Sequence, residues 1–470
     1  MRRFAPLVAV LACTPTPDVP ADTEPASTGS SSSASASETG APPVPTTGSP
    51  DSSTTDEPTS DPPTSDPSTT STSDDPASTG PVASESTDAT ATTGDPVEPG
   101  CGDGIAAPGE VCFTRFLPAM LCDLQDGLVL ADLDHDGHLD LVGTHSIQPP
   151  LVRPAGSTLA AAPRPSGTRE NVSICTALGD GLGDLSPGGG TNWQGFLPSP
   201  VLVAVDVTGD ADLDILGLTD VGELVQYEGD GAGDITPLDV FPLNAAWIAA
   251  GDLDGDLDND AVWVGDLVGI ARNDGQAIVV DLAKFADDDG LPRVFVHLHD
   301  LDGDADLDLL VARDDGNGHG AVEVLRNDAG TLTSVQEVDV PGGAHDLVVV
   351  PGALAGQPAV YVTSAAPMSH ALALAADGTL GAPMMLPVAG AHNVLAGRVD
   401  GDDRPDALVL GPTGAQALLT GPAWPPTVVP VEDSAFTTWP LGRAAGDLNE
   451  DGLVDIVVAD EQLVLFLSNP

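Results

Sequence analysis

Positive charge is almost missing from this chain. Only 14 of its 470 residues are basic, and a single one of them, Lys284, is lysine, against 72 acidic side chains. The formal net charge of -58 excludes nucleic acid as a partner, because phosphate backbones are bound by Lys and Arg. No run of about 20 apolar residues occurs, which excludes a membrane-spanning helix. Aromatic residues amount to 3% and the nine histidines are dispersed. Neither HExxH nor GxSxG is present, and no spacing of Ser, His and Asp suggests a triad. A catalytic role is therefore not expected. What the chain does have is 53 Gly and 44 Pro among many Val, Leu and Ala residues, a composition that suits short strands and tight turns.

The N-terminus reads as an export signal. "MRR" supplies charge, "FAPLVAVLA" the apolar run, and Cys13 follows directly. "VLAC", from Val10 to Cys13, resembles a bacterial lipobox. That resemblance implies a signal peptide over 1–12, lipidation of Cys13, and an outer-membrane or cell-surface lipoprotein of a Gram-negative bacterium. Such a chain touches the membrane through its lipid anchor alone. An ordinary secretory signal, giving a periplasmic or secreted protein, is the alternative. Residues 13–100 are almost entirely Ser, Thr, Pro, Asp, Glu, Ala and Gly, with no Lys or Arg. They cannot bury enough apolar surface to offset ordering entropy, so a disordered, self-repelling linker is expected.

Four cysteines remain: Cys101, Cys112, Cys122 and Cys175. An even number in an exported chain favours disulfides, and four cysteines allow three pairings. "CGDGIAAPGEVC" is a short, Gly-rich loop that favours Cys101–Cys112, leaving Cys122–Cys175. The same stretch resembles "CGDG…GE.C" segments in secreted proteins of myxobacteria. The spacings lack the C-x-x-C pairs of a zinc site.

One nine-residue pattern recurs. Windows begin at Asp132 (DLDHDGHLD), Asp206 (DVTGDADLD), Asp252 (DLDGDLDND), Asp300 (DLDGDADLD), Arg398 (RVDGDDRPD) and Asp447 (DLNEDGLVD). A seventh, at Pro351 (PGALAGQPA), keeps its flanks and has lost its aspartates. Five of the six spacings lie between 46 and 51 residues, and one is 74. The long spacing predicts an insertion at about 146–197. Short β-rich runs flank each window, with three to four strands per repeat, which is the size of a propeller blade. Seven copies predict an all-β, seven-bladed β-propeller over residues 127–470. The last repeat is one strand short, and "FTRFL" (113–117), within a Cys-containing segment at 101–126, is predicted to supply it and close the ring.

Carboxylates two apart in a tight turn converge and repel unless a cation sits among them. Calcium, which accepts six to eight oxygens in a forgiving geometry, suits positions 1, 3, 5 and 9 with a carbonyl near 7. An EF-hand is excluded because the Asp-led windows lack Glu at position 12. A dockerin-like repeat is excluded because β-rich runs, not a helix, follow.

The windows, their flanks and their period resemble FG-GAP/VCBS repeats, the family of the integrin α-subunit propeller. That resemblance implies calcium on one face of the disc and ligand contacts on the other. It assigns about five sites. These are Asp132, Asp134, Asp136 and Asp140; Asp206, Thr208, Asp210 and Asp214; Asp252, Asp254, Asp256 and Asp260; Asp300, Asp302, Asp304 and Asp308; and Asp447, Asn449, Asp451 and Asp455. The family usually has Gly at positions 4 and 6, whereas each window here has one. Arg398 replaces the first ligand of the sixth window, and an ion pair to Asp400 or Asp406 is expected there instead of calcium.

Trp247, His345 and His392 sit five or six residues before their windows, so they are expected on the opposite face as a central ligand patch; repeat-derived turn chemistry is the alternative. The function expected is surface adhesion or binding to an extracellular protein or glycan by a monomer. A lyase-like enzyme acting on polysaccharide and a purely structural envelope protein are the rivals.

Overall fold

The computed structural model describes residues 108–118, 127–146, 170–195, 198–219, 222–273, 278–281, 291–364, 368–388, 390–411, 414–432, 434–436, 442–459 and 463–469. They belong to one of two compact units; the other, Thr14–Val97, lies outside them. The expectations for the signal peptide, Cys13, the linker, Cys101 and Cys122 therefore also fall outside the described residues.

The described strands form seven four-stranded antiparallel sheets; six pair four consecutive strands in simple succession, and the seventh adds a strand from far earlier in the chain. Every first strand packs against the first strands of the two neighbouring sheets, and the seventh meets the first. The chain is thus a seven-bladed β-propeller, as its repeats predict. Blades are numbered in chain order from Leu128.

The strand sequences explain this packing. The second strand of blade 4, Asp308–Asp314 (DLLVARD), is buried at all seven positions. A blade is covered on both faces by its neighbours, so its strands read as continuous apolar runs and not as alternating ones. The core therefore lies between blades. One cluster joins Val203 and Leu216 of blade 2, Ile248 and Val262 of blade 3, and Val296 and Leu310 of blade 4.

Closure follows the predicted route. Phe113–Phe116 pairs antiparallel with Leu463–Ser468, the last strand of the chain, from Phe113 opposite Ser468 to Phe116 opposite Leu465. The Asn469 N–H then donates to the Cys112 carbonyl at 3.0 Å.

The predicted insertion is smaller than expected. Glu170–Gly179 and Leu185–Gly195 are the third and fourth strands of blade 1, and they carry Cys175 and Trp193. Only 147–169 falls between strands, and it lies outside the described residues. The fourth strand, LSPGGGTNWQG, was hard to read because three glycines in a row rarely form a strand. Close packing accounts for them. A Cβ at Gly188 would meet the Thr176 hydroxyl at 2.4 Å, and one at Gly189 the Asp234 carboxylate of blade 2 at 1.3 Å.

Blade 5 departs from the rest. Its first strand, Asp346–Leu354, and second, Gln357–Thr363, meet in a tight turn at Ala355 and Gly356, both with positive φ. The former window residues have become strand and turn.

Candidate cation sites in the aspartate loops

In the other six blades the acidic window links the first strand to the second. The aspartate at position 9 opens the second strand: Asp140, Asp214, Asp260, Asp308, Asp406 and Asp455. All six loops therefore gather on one face of the ring.

The loops fold around their own carboxylates. Asp252 accepts the Gly255 N–H at 2.7 Å on Oδ1 and the Leu257 N–H at 3.1 Å on Oδ2. Asp300 repeats this with Gly303 and Ala305, and Asp206 with Gly209 and Ala211. Wrapping the backbone this tightly puts positions 4 and 6 in the left-handed region, as at Gly255 (φ 79°) and Leu257 (φ 76°). The second glycine that the sequence lacks is replaced by a residue forced into the same conformation: His135, Ala211, Leu257, Ala305 or Glu450. Each costs roughly 1–2 kcal/mol relative to ordinary backbone.

Three loops bring three carboxylates together: Asp132, Asp134 and Asp136; Asp252, Asp254 and Asp256; Asp300, Asp302 and Asp304. Within each set one oxygen per residue lies within 4.8 Å of the others. Asp132 Oδ1, Asp254 Oδ1 and Asp302 Oδ1 are buried with no hydrogen-bond partner. Thr208 Oγ1 in blade 2 is in the same condition. A buried polar atom left without a partner costs about 1–3 kcal/mol, and more when charged. A hard divalent cation fits such a set of crowded oxygen donors, and calcium tolerates their irregular number and geometry. In the loops of blades 2 and 7, Thr208 and Asn449 stand between the flanking aspartates, so these loops offer fewer carboxylates.

The position-9 aspartates also hold the backbone of their loops. Asp260 takes the Leu253 N–H on Oδ2 at 3.2 Å and the Asn273 N–H, at the end of the third strand, on Oδ1 at 2.8 Å. The same two-handed arrangement recurs at Asp140, Asp214, Asp308, Asp406 and Asp455. Each clasps its loop to the third strand. All six are buried. Burial pushes their carboxyls up against the pull of these N–H donors, to about 6 at Asp260 and Asp455 and about 7 at Asp406.

The sixth loop also differs from expectation. Arg398 pairs with Asp403 at 3.3 Å and donates to the Asp402 carbonyl, not to Asp400 or Asp406. Asp400, Asp402 and Asp406 converge on one another, a fourth such cluster. The Gly109 N–H of the ring-closing segment donates to Asp400 Oδ2 at 2.6 Å. Sequence spacing could not place that residue, 291 positions away.

Two arginines were also missed. Arg272 meets Asp254 Oδ2 at 2.5 Å, and Arg326 meets Asp302 Oδ2 at 2.8 Å. The scarcity of basic residues was the available signal, since each Arg in so acidic a chain is a placed charge.

On the opposite face the three residues expected to line a patch divide. Trp247 is fully buried, its ring centroid 4.4 Å from that of Phe295, so it belongs to the core between blades 3 and 4 and not to a ligand surface. His345 and His392 do meet, with ring centroids 5.5 Å apart. Burial pushes them down to about 3 and about 4, so both are neutral. Close by, the fully buried Arg443 of blade 7 is ion-paired to the equally buried Asp346 of blade 5.

No family model and no curated protein matches this chain. Solved structures do. The crystal structure of BP39L lectin from Burkholderia pseudomallei aligns with a TM-score of 0.53 at 15% identity, over 74% of this chain and 97% of that one. The fold is a shared one. BBS1N, crystallised in complex with ARL6DN, aligns at 0.46 and 12% identity over 76% of this chain and 96% of its own. Sqt1 from Saccharomyces cerevisiae aligns at 0.46 and 9% identity over 77% of this chain and 100% of its own. At these identities the likeness speaks of fold alone, and only the lectin's score is high enough to add weight to it.

Proposed function

We propose that this protein is a non-catalytic, calcium-binding β-propeller that binds an extracellular protein or glycan. The reading is carried by one observation: crowded aspartate oxygens in the loops of blades 1, 3 and 4, among them Asp132 Oδ1, Asp254 Oδ1 and Asp302 Oδ1, which are buried without partners. The loops of blades 2 and 7 extend the set to about five sites, with Thr208 and Asn449 as neutral donors. The likeness of these loops to FG-GAP/VCBS repeats supports calcium over magnesium, which demands a stricter octahedron. The absence of any catalytic pattern in the sequence supports binding over turnover. Export, a lipid anchor at Cys13 and the pairings Cys101–Cys112 and Cys122–Cys175 complete the reading. Both Cys112 and Cys175 are buried, which suits a protected bridge.

Ligands held only by the folded chain stabilise it by mass action, about 2.7 kcal/mol for each site at 100-fold excess over its dissociation constant. Thermal melting of the purified protein tests this. Chelation lowers the melting temperature, and calcium restores it more fully than magnesium. Metal-free protein whose melting is indifferent to EDTA and to added calcium overturns the reading. A panel of glycans and matrix proteins, probed in calcium and in EDTA, tests the binding role.

A further inference from the structure

We infer that Arg272 and Arg326 couple cation binding in one blade to the joint with the next, so that the candidate sites of blades 3 and 4 act as inter-blade fasteners. This rests on the calcium reading above.

The geometry is repeated. Arg272 immediately precedes Asn273, whose N–H the Asp260 clasp holds, and Arg326 likewise precedes Asn327, held by Asp308. Each arginine forks. Arg272 gives Nη1 to Asp254 Oδ2 and Nη2 to the Gly330 carbonyl, in the turn between the third and fourth strands of blade 4. Arg326 gives Nε to Asp302 Oδ2 and Nη2 to the Asp377 carbonyl, in the same turn of blade 5. The other oxygen of each aspartate, Oδ1, is the buried one without a partner. One carboxylate thus faces a cation candidate with one oxygen and a guanidinium with the other. The planar fork of arginine suits such a two-ended task.

The repeat supplies its own control. In blades 1 and 7 the corresponding residues are Leu178 and Leu467. They press on the same turn of the next blade: a Cβ at Gly233 would meet Leu178 at 2.7 Å, and one at Gly183 would meet Leu467 at 2.6 Å. A Cβ at Gly330 would meet Arg272 Nη1 at 2.6 Å. Packing at this joint therefore needs no charge. What arginine adds is the connection to the carboxylate cluster. A cation that fixes Asp254 fixes the anchor of Arg272, and through it the turn of blade 4.

Hydrogen exchange read by mass spectrometry on the full chain, with calcium removed and restored, tests the inference. In the unaltered protein calcium slows exchange in the loops 252–260 and 300–308 and also in the turns 328–331 and 375–379. In Arg326→Leu the slowing at 375–379 is lost while that at 300–308 remains. In Arg272→Leu the slowing at 328–331 falls to the part carried by blade 4's own loop, whose Asp306 accepts the Ala329 N–H at 2.9 Å, while 252–260 and 375–379 respond as before. Leucine is the residue blades 1 and 7 use, so both variants keep the joint packed. The inference is overturned if 375–379 still responds to calcium in Arg326→Leu, if 328–331 responds in Arg272→Leu as fully as in the unaltered chain, or if the turns fail to respond in the unaltered chain although the loops do. If calcium slows neither loop, the cation reading itself has failed and the coupling falls with it.

Discussion

His345 shows how a residue's surroundings can reverse its expected role. Its place before a window predicts a central ligand patch. It is instead buried against His392, with Arg443 near enough to depress its protonation further. His297, on the first strand of blade 4, is likewise pushed down, to about 4. A depressed histidine stays neutral in the fold while the unfolded chain takes up a proton below about 6.5. Between that value and about 4 the unfolded state binds more protons, so the stability these groups confer is present above pH 6.5 and is lost on acidification. The buried clasp carboxylates, raised above their usual range, act in the opposite sense over part of the same window. Replacement isolates the histidines. His345→Asn with His392→Asn is expected to flatten the fall in melting temperature between pH 6.5 and 4 relative to the unaltered chain. An unchanged slope counts against burial as the cause. Trp247 teaches the same lesson about legibility. Its position before a window was plain, but the Phe295 that buries it lies in the next blade, and no local pattern announces that contact.

Among elements, the acidic loop is a unit of loop and sheet. The position-9 aspartate is what joins them. Asp260→Ala leaves the buried Leu253 and Asn273 N–H groups without acceptors, a loss of about 2–4 kcal/mol for the pair. Asp260→Asn, which keeps one acceptor oxygen, is expected to cost less. Urea unfolding in the presence of EDTA checks both, because chelation removes any contribution from metal. Equal stability of Asp260→Ala and the unaltered chain would falsify the clasp. The window itself was fully legible, since its alternation and its period near 48 residues are local features. The role of its ninth residue was not. That a carboxylate at this spacing accepts two amides shows only once the fold brings the third strand back to it. The fork of Arg272 was hidden for the same reason, with Gly330 58 positions away.

At the level of the whole ring, stability depends on a non-covalent seam. Blade 7 borrows Phe113–Phe116 from the start of the propeller, and Gly109 adds a bond to the loop of blade 6. A chain beginning at residue 119 exposes Leu463–Ser468 as an unpaired edge, which is a template for association with other chains. It is expected to melt at lower temperature and to form higher oligomers on size-exclusion chromatography. A monomer with unchanged melting would show the seam to be dispensable. The closure was legible because the opening segment is patterned like the strand it replaces.

Blade 5 has exchanged its acidic loop for a plain hairpin between Leu354 and Gln357. Six loops and one omission make the negative rim a horseshoe with its mouth between blades 4 and 6. Rotation by one-seventh of a turn no longer superimposes the charge upon itself. A rigid body docking on that rim would meet a keyed surface with a single angular setting, although the scaffold beneath it is built from seven near-copies.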